Sequence, residues 1–241
     1  MGLNHPAPHI IYNDNLNPLV EIFKYLQTHN KQEILDYINK TIQENNLNKT
    51  DKNAYILFRN KYNNSFIKHP LDLYVLINFS FNYQIRFNNK GEFNNPHGTN
   101  RSSFNKNMKN RLIQCIDILH QKDITFLNKD FTQLDFKQLD SESLVYCDPP
   151  YLITDSTYNK NWTLKEEHLL YRLLNKLDTA GVKFVLSNVL THDGKVNTIL
   201  KRWLSKNNYN LKNISSNYTN SNYHKKNTNN IINREVLVFN Y

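Results

Sequence analysis

Apolar and polar residues repeat along the chain with two periods, and together these predict an α/β protein. Short apolar runs predict strands at His9–Asn13, Ile124–Leu127, Ser143–Cys147, Tyr209–Ile214 and Glu235–Asn240, and a buried strand at Val182–Leu186. Helical spacing predicts helices at Pro18–Gln27, with Asn15 as the N-cap, and at Lys31–Gln43, Thr163–Thr179 and Lys195–Ser205. Because strands alternate with helices, we expect a mainly parallel sheet that is covered on both faces.

The segment 47–110 departs from this alternation of strands and helices. Its many aromatic residues are interleaved with basic ones, namely Arg59, Lys61, Arg86, Lys90 and Arg101. We therefore expect 47–110 to be an inserted, mostly helical subdomain. Residues 1–46 and 111–241 would then form the main domain.

Composition narrows the class of protein. The chain has 241 residues and a formal net charge of +9, which suits a polyanionic partner; a Lys/Asn-rich composition inherited from an AT-rich genome is the alternative explanation. Cys115 and Cys147 are too few for a disulfide scaffold, which favours a reducing, cytoplasmic setting. No window approaches eighteen apolar residues, so we expect no membrane span. The histidines lack paired ligand spacing, so we expect no metal.

The tetrapeptide Asp148-Pro149-Pro150-Tyr151 follows directly after a predicted strand. In an open parallel sheet, ligands bind beyond the carboxyl ends of the strands, so this carboxylate would face the site. Two prolines remove two N–H donors and leave carbonyl oxygens free to accept. A carboxylate beside such a carbonyl can bind an exocyclic amine, and an aromatic ring can stack on a base. A simple turn is the alternative interpretation.

The chain resembles the Dam-type, D12-class DNA adenine-N6 methyltransferases of bacteria and phages, over nearly its whole length. The most specific similarity is Asp148 to Tyr151, the family's catalytic motif. Further similar segments follow in the family's order: Asn13 to Asn17, Asp130-Phe131, Leu152-Ile153-Thr154, Tyr158-Asn159, Phe184 to Asn188, Ser221 to His224 and Arg234 to Leu237.

The resemblance implies a Rossmann-like sheet that uses S-adenosylmethionine and releases S-adenosylhomocysteine. It implies that Asp14 holds the cofactor ribose, that Asp130 and Phe131 lie by its adenine, and that Asp148 lies near its methionine end. The target adenine would be flipped out of double-stranded DNA and stacked on Tyr151, with Asp148 and the Pro149 carbonyl accepting from its amine. Transfer would be direct and would need neither a metal nor a cysteine nucleophile.

The segment Ile85 to Gly98 resembles the target-recognition hairpin of members that methylate adenine in GATC. The candidate DNA-binding residues are Arg86, Asn88, Asn94, Pro96 and Arg101. Arg86 could bind a guanine edge through two hydrogen bonds, the commonest specific contact in the major groove. Its alternative role is a phosphate contact or a plain surface position.

One expected motif of this family is absent. Members with this motif order have an F-x-G-x-G turn after the first strand, and no two of the five glycines here stand in a G-x-G arrangement. We therefore expect the first strand and its glycine turn to come from outside this chain or from a second polypeptide. The chain alone would bind the cofactor weakly.

Three functions follow from these observations. The first is an adenine-N6 methyltransferase, which the intact Asp148 motif favours. The second is a non-catalytic DNA-binding remnant or one subunit of a split methyltransferase, which the missing glycine turn favours. The third is cytosine-N4 methylation, whose enzymes more often have Ser in place of the leading Asp.

Overall fold

The computed structural model describes residues 6–154, 162–214 and 233–241. The chain divides into two compact units, Met1–Gln133 and Leu134–Tyr241. No helix among the described residues is long and apolar enough to cross a membrane.

The first unit is mainly helical. Its elements are β1 (His9–Asn13), α1 (Asn17–Thr28), α2 (Lys31–Glu44), α3 (Lys52–Asn64), α4 (Pro70–Phe79), α5 (Lys106–Gln121) and β2 (Asp123–Leu127). Strands β1 and β2 pair in parallel, with His9 opposite Asp123 and Asn13 opposite Leu127. The predicted strands and the second predicted helix are confirmed, and the segment 47–110 contributes helices and a hairpin as expected.

The start of α1 differs from the prediction. The helix begins at Asn17 after Leu16, and no side chain caps it, so Asn15 is not the N-cap. Asp14 instead binds the peptide just before the helix, because its Oδ1 accepts from the Leu16 N–H at 2.8 Å. The proline at the second helical position has no N–H that needs an acceptor, which lets the helix start without a cap.

Helix α4 lies at the centre of the hydrophobic core of this unit. Leu71, Leu73, Val75 and Leu76 are each almost fully buried, so the helix is covered on more than one face. Side chains of α1, α2, α3 and α5 join the same cluster. The inserted segment therefore packs into the same core as the helices that precede it.

The second unit is an α/β layer. Its elements are β3 (Leu144–Cys147), α6 (Leu164–Thr179), β4 (Lys183–His192), β5 (Lys195–Val196), α7 (Thr198–Lys206), β6 (Asn210–Ile214) and β7 (Arg234–Phe239). The start of α6 has a capping box, in which Thr163 accepts from the helix backbone and Glu166 accepts from the Thr163 N–H.

The sheet of this unit has the order β3-β4-β7-β6, with β5 paired to β4. Only β3 and β4 are parallel, whereas β7 is antiparallel to both β4 and β6. The expectation of a mainly parallel sheet is therefore wrong for this unit. The sheet is mixed because β7 lies between β4 and β6 and runs antiparallel to both of them.

Strand β4 and helix α7 also differ from their predicted bounds. Strand β4 continues to His192, past Leu186, because Val189 and Leu190 are buried as well. Lys195 and Val196 pair with its end. Helix α7 therefore begins only at Thr198, where the Asn197 side chain accepts from the Leu200 N–H.

Candidate active site

The Asp148 carboxylate stands at the carboxyl end of β3. The last strand residue, Cys147, is opposite Leu186 of β4, so Asp148 follows where two parallel strands end together. Asp148 is exposed, while Pro149 and Pro150 are half-buried. The parallel pair thus places an accessible carboxylate at the strand edge where ligands of α/β sheets bind.

The Tyr151 hydroxyl joins three oxygen-bearing side chains. It lies 2.7 Å from Ser187 Oγ, 3.0 Å from Glu235 Oε1 and 3.3 Å from Asp148 Oδ1. Ser187 is buried on β4, and Glu235 is half-buried near the start of β7. These bonds fix the position of the Tyr151 ring relative to Asp148.

The electrostatics around the Tyr151 hydroxyl favour the protonated forms of Asp148 and Tyr151. Loss of hydration raises the pKa of Asp148, the bond from Tyr151 lowers it, and the charge of Glu235 raises it again. Loss of hydration also raises the pKa of Tyr151, and both neighbouring carboxylates add to that rise. The Tyr151 hydroxyl therefore stays protonated at neutral pH and acts as a donor.

Ser187 and Glu235 are site neighbours that the sequence reasoning did not assign. Both stood in segments similar to the family, but neither had a role. Their proximity depends on the sheet order, because β7 must lie beside β4 for Glu235, opposite Val189, to approach the end of β3. A prediction of the strand order β3-β4-β7 would have indicated that both residues lie near the end of β3.

A second polar cluster is centred on Glu167 of α6, which is fully buried. Its carboxylate accepts from Trp162 Nε1 at 2.7 Å, from the Tyr171 hydroxyl, and from the side-chain amides of Asn188 at 3.1 Å and Asn197 at 3.2 Å. Asn188 follows Ser187 on β4. The cluster therefore ties α6 and the start of α7 to the strand segment that contacts Tyr151.

Asp14 and Asp130, two of the residues assigned to the cofactor, lie at one edge of the first unit. Each follows a strand of the parallel pair β1 and β2, and the strand ends are tied by Asn13, whose side chain bonds the Lys129 backbone. Asp14 accepts from the Leu16 N–H and, at 3.2 Å, from the Tyr12 hydroxyl. The structure thus brings these two carboxylates to the same edge.

Asp130 is exposed and begins a short 3-10 turn. Its side chain accepts from the hydroxyl and backbone N–H of Thr132, and these bonds lower the pKa of Asp130. Phe131 follows in the turn and is half-buried. An ionised carboxylate beside a partly exposed ring suits the amino group and ring face of an adenine.

The carboxylates and the aromatic ring at this edge of the first unit suit the adenosine part of S-adenosylmethionine in their chemistry. Each oxygen of Asp14 has one internal donor and keeps further acceptor capacity, which two ribose hydroxyls can use. Asp130 and Phe131 offer complementary polar and aromatic contacts.

In the predicted recognition hairpin, Arg86 is bound to Asn94. Arg86 Nε donates to Asn94 Oδ1 and Arg86 Nη2 donates to the Asn94 carbonyl, both at 2.9 Å. The opposite backbone bond runs from the Asn94 N–H to the Arg86 carbonyl. These two side-chain bonds use two of the five N–H groups of arginine, so a guanine contact would use the outer ones.

The other proposed DNA-binding residues differ in their surroundings. Asn88 closes the hairpin turn, since its side chain accepts from the Lys90 and Glu92 N–H groups and donates to the Glu92 carboxylate. Pro96 is exposed, and its carbonyl accepts from Phe81. Arg101 is exposed. Asn88 and Asn94 thus hold the hairpin together, whereas Pro96 and Arg101 face solvent.

Both cysteines are partly buried. Burial raises the pKa of Cys115 and raises that of Cys147 to about 12, so their thiols are unreactive at neutral pH. Across the described ranges, no group of three or more His, Cys, Asp or Glu side chains could hold a metal. Tyr158-Asn159 and Ser221 to His224 lie outside the described residues.

Comparison with known proteins gives a family for this chain. A family model described as D12 class N6 adenine-specific DNA methyltransferase matches residues 1–235. The chain is 40% identical to the modification methylase StsI of Streptococcus sanguinis and 41% identical to the type II methyltransferase M.FokI of Planomicrobium okeanokoites, over 247 aligned residues in each case. A DNA adenine methylase of Vibrio cholerae is 26% identical over 186 residues, covering 72% of this chain and 63% of that protein.

The first two relatives are much longer than this chain. The alignments cover all of this chain but only 37% of each of those proteins.

Proposed function

Because the chain belongs to the D12 class N6 adenine-specific DNA methyltransferase family, we propose that it transfers a methyl group from S-adenosylmethionine to adenine N6 in duplex DNA. The observation that carries this proposal is the exposed Asp148 carboxylate at the end of β3, followed by two prolines and a tyrosine with a fixed hydroxyl. The names of the similar proteins support a role as the modification enzyme of a restriction system.

The residues of the β3 edge have the properties that this reaction needs. Asp148 and the Pro149 carbonyl would accept the two hydrogen bonds of the adenine amine and turn its lone pair toward the methyl donor. The Tyr151 ring, held at its hydroxyl, would stack on the base. Because a base inside a duplex cannot reach such an edge, the target adenine would be flipped out.

The carboxylates of the first unit would hold the cofactor. Asp14 would accept from the ribose hydroxyls, and Asp130 with Phe131 would bind the adenine of the cofactor. The bound cofactor supplies an electrophilic methyl group on a positively charged sulfur. An enzyme nucleophile is then unnecessary, which agrees with the raised pKa values of Cys115 and Cys147.

The hairpin around Arg86 would read the DNA sequence. Arg86 would use its outer N–H groups on a guanine, with Asn88 and Asn94 holding the hairpin and with Pro96 and Arg101 at its exposed side. The similarity of this segment to hairpins of GATC-methylating members makes GATC the first site to test. The net charge of +9 would favour binding to the phosphate backbone.

Product identification tests this proposal. Duplex DNA is incubated with the chain and S-adenosylmethionine and digested, and its nucleosides are separated by mass spectrometry. We expect N6-methyladenine, and none in a parallel reaction with the Asp148→Ala variant. N4-methylcytosine as the product would overturn the proposal, as would unmodified DNA from a protein shown to bind both cofactor and duplex.

A second candidate function is one subunit of a split methyltransferase. The observation that favours it lies within the second unit: among the described residues of that unit, β3 pairs with β4 alone, and Leu144 and Tyr146 on β3 are 40% and 41% exposed. Such an edge can accept another strand. Calorimetric titration with S-adenosylmethionine distinguishes the two functions, since weak binding by the chain alone favours a split enzyme and micromolar binding favours a self-sufficient one.

A further inference from the structure

The hydrogen bonds around Tyr151 assign its single hydroxyl proton. Two carboxylates and one serine surround the phenol oxygen, at 3.0 Å for Glu235, 3.3 Å for Asp148 and 2.7 Å for Ser187. A bond to a carboxylate is stronger than one to a neutral hydroxyl. Tyr151 therefore donates to a carboxylate, Ser187 donates to the Tyr151 oxygen, and the nearer carboxylate is that of Glu235.

Glu235 is well placed to hold this bond. It lies on β7, which is hydrogen-bonded to β4 on one side and to β6 on the other, and its register partners are Val189 and Ile214. A residue between two paired strands moves little. Asp148, by contrast, lies beyond the end of its strand and is exposed.

We propose that Glu235 is a positioning residue of the methyl-transfer site, which accepts the hydrogen bond of the Tyr151 hydroxyl and so leaves the Asp148 carboxylate to accept from the target amine. This inference rests on the proposed function. Without Glu235, the Tyr151 hydroxyl would turn to Asp148 and compete with the amine for its lone pairs. The ring that stacks on the base would turn with it.

The same arrangement has a consequence for pH dependence. Within the part of the chain that the structure describes, the titratable groups that face Asp148 are Tyr146 and Cys147 on its own strand, Tyr151 after the turn, and Glu235 from β7. The charge of Glu235 raises the pKa of Asp148, and the Tyr151 bond lowers it. Glu235→Gln removes the charge and strengthens the Tyr151 bond to Asp148, so both changes lower the pKa of Asp148.

Carboxyl NMR titration of the full chain tests the proposal. The side chains of Asp are labelled with carbon-13, and Asp148 is assigned with the Asp148→Asn variant. We expect Glu235→Gln to lower the pKa of Asp148 and the exposed control Glu142→Gln to leave it unchanged. In a Tyr151→Phe background the effect of Glu235→Gln should shrink, because only the charge remains.

A rate measurement adds the functional readout. At saturating DNA, Glu235→Gln should reduce methyl transfer by about 10- to 100-fold while the KM for DNA changes little. The acid limb of the pH–rate profile should move to lower pH. Glu235→Asp keeps the charge but shortens the side chain, so its rate of methyl transfer should fall between those of the unchanged protein and Glu235→Gln. This variant replaces Glu235→Gln in the test if the glutamine variant does not fold.

The outcomes separate this inference from the proposed function. An unchanged Asp148 pKa in a folded Glu235→Gln protein, together with normal methylation, would overturn the positioning role alone. A lowered pKa in a protein that binds cofactor and DNA but makes no N6-methyladenine would support the positioning bond and overturn the proposed function.

Discussion

The recognition hairpin and the end of β3 use their polar side chains in different ways. In the hairpin, the side chains of Arg86 and Asn88 bond both backbone groups and other side chains, and the buried Asn95 amide donates to the Phe81 and Gln84 carbonyls. At the end of β3, the Tyr151 hydroxyl contacts three side chains, those of Asp148, Ser187 and Glu235.

This difference distinguishes side chains that hold a loop in its shape from side chains that take part in the reaction. Side chain–to–side chain bonds are only about 10–15% of the hydrogen bonds in a folded protein, so a cluster of them around an exposed carboxylate is unusual. Bonds from side chains to the backbone hold a loop in one shape. We therefore expect substitutions at the end of β3 to reduce the reaction rate and substitutions in the hairpin to change folding or recognition.

The largest effect is expected from Asp148→Ala. Removing the acceptor of the target amine should slow methyl transfer by about 10²- to 10⁴-fold, within the range for loss of a group that accepts a proton or hydrogen bond. DNA affinity should change only a few fold, because phosphate contacts carry most of it. Single-turnover kinetics and fluorescence anisotropy on the same preparation measure both. Substantial methylation by this variant would refute the role of Asp148.

The next effect concerns stability. Glu167→Ala would leave the donors of the half-buried Trp162 and of the buried Tyr171, Asn188 and Asn197 without their shared acceptor. We expect a loss of about 3–5 kcal/mol in the free energy of unfolding, measured by urea denaturation. The adjacent variant Glu166→Ala, which removes only a helix cap, is the control and should cost less. Equal losses would show that the Glu167 cluster adds little stability.

A smaller loss of stability is expected next to the hairpin, at Gly98. An added Cβ there would lie 2.2 Å from Ser102 Oγ and 2.8 Å from the Ser80 carbonyl oxygen, which is backbone and cannot turn away. Gly98→Ala should therefore destabilise the protein by about 1–3 kcal/mol. The control is Gly91→Asn, where φ is +74° and nothing lies within 4 Å. Because asparagine tolerates a positive φ better than most residues, thermal unfolding should show a lowered Tm for the first variant and a smaller decrease for the second.

Local patterns in the sequence were enough for the strands and for Asp148. The apolar run Leu144 to Cys147 predicted the strand β3, although Leu144 and Tyr146 are 40% and 41% exposed, and the prolines follow directly after that strand. The helical spacing over Thr163–Thr179 was equally clear, and the observed helix is Leu164–Thr179. These features depend on residues only a few positions apart.

Features that depend on distant residues were not predicted. The antiparallel position of β7 brings Glu235 to Tyr151 across 84 residues of chain, and no local pattern encodes that pairing. The bonds between Arg86 and Asn94 depend on the closure of a hairpin, so the sequence alone left Arg86 as a free DNA contact. The uncapped start of α1 was not predicted, because Asp14 rather than Asn15 accepts the hydrogen bond from the backbone just before the helix.

The most direct test of this division between chemistry and recognition is the single-turnover rate at saturating DNA, measured for Asp148→Ala and Arg86→Ala side by side. We predict that Asp148→Ala loses the rate on every duplex. Arg86→Ala should keep it on the preferred site while losing about 1–3 kcal/mol of discrimination at one base pair. If Arg86→Ala lost the rate and Asp148→Ala kept it, the assignment of chemistry to the end of β3 would be contradicted.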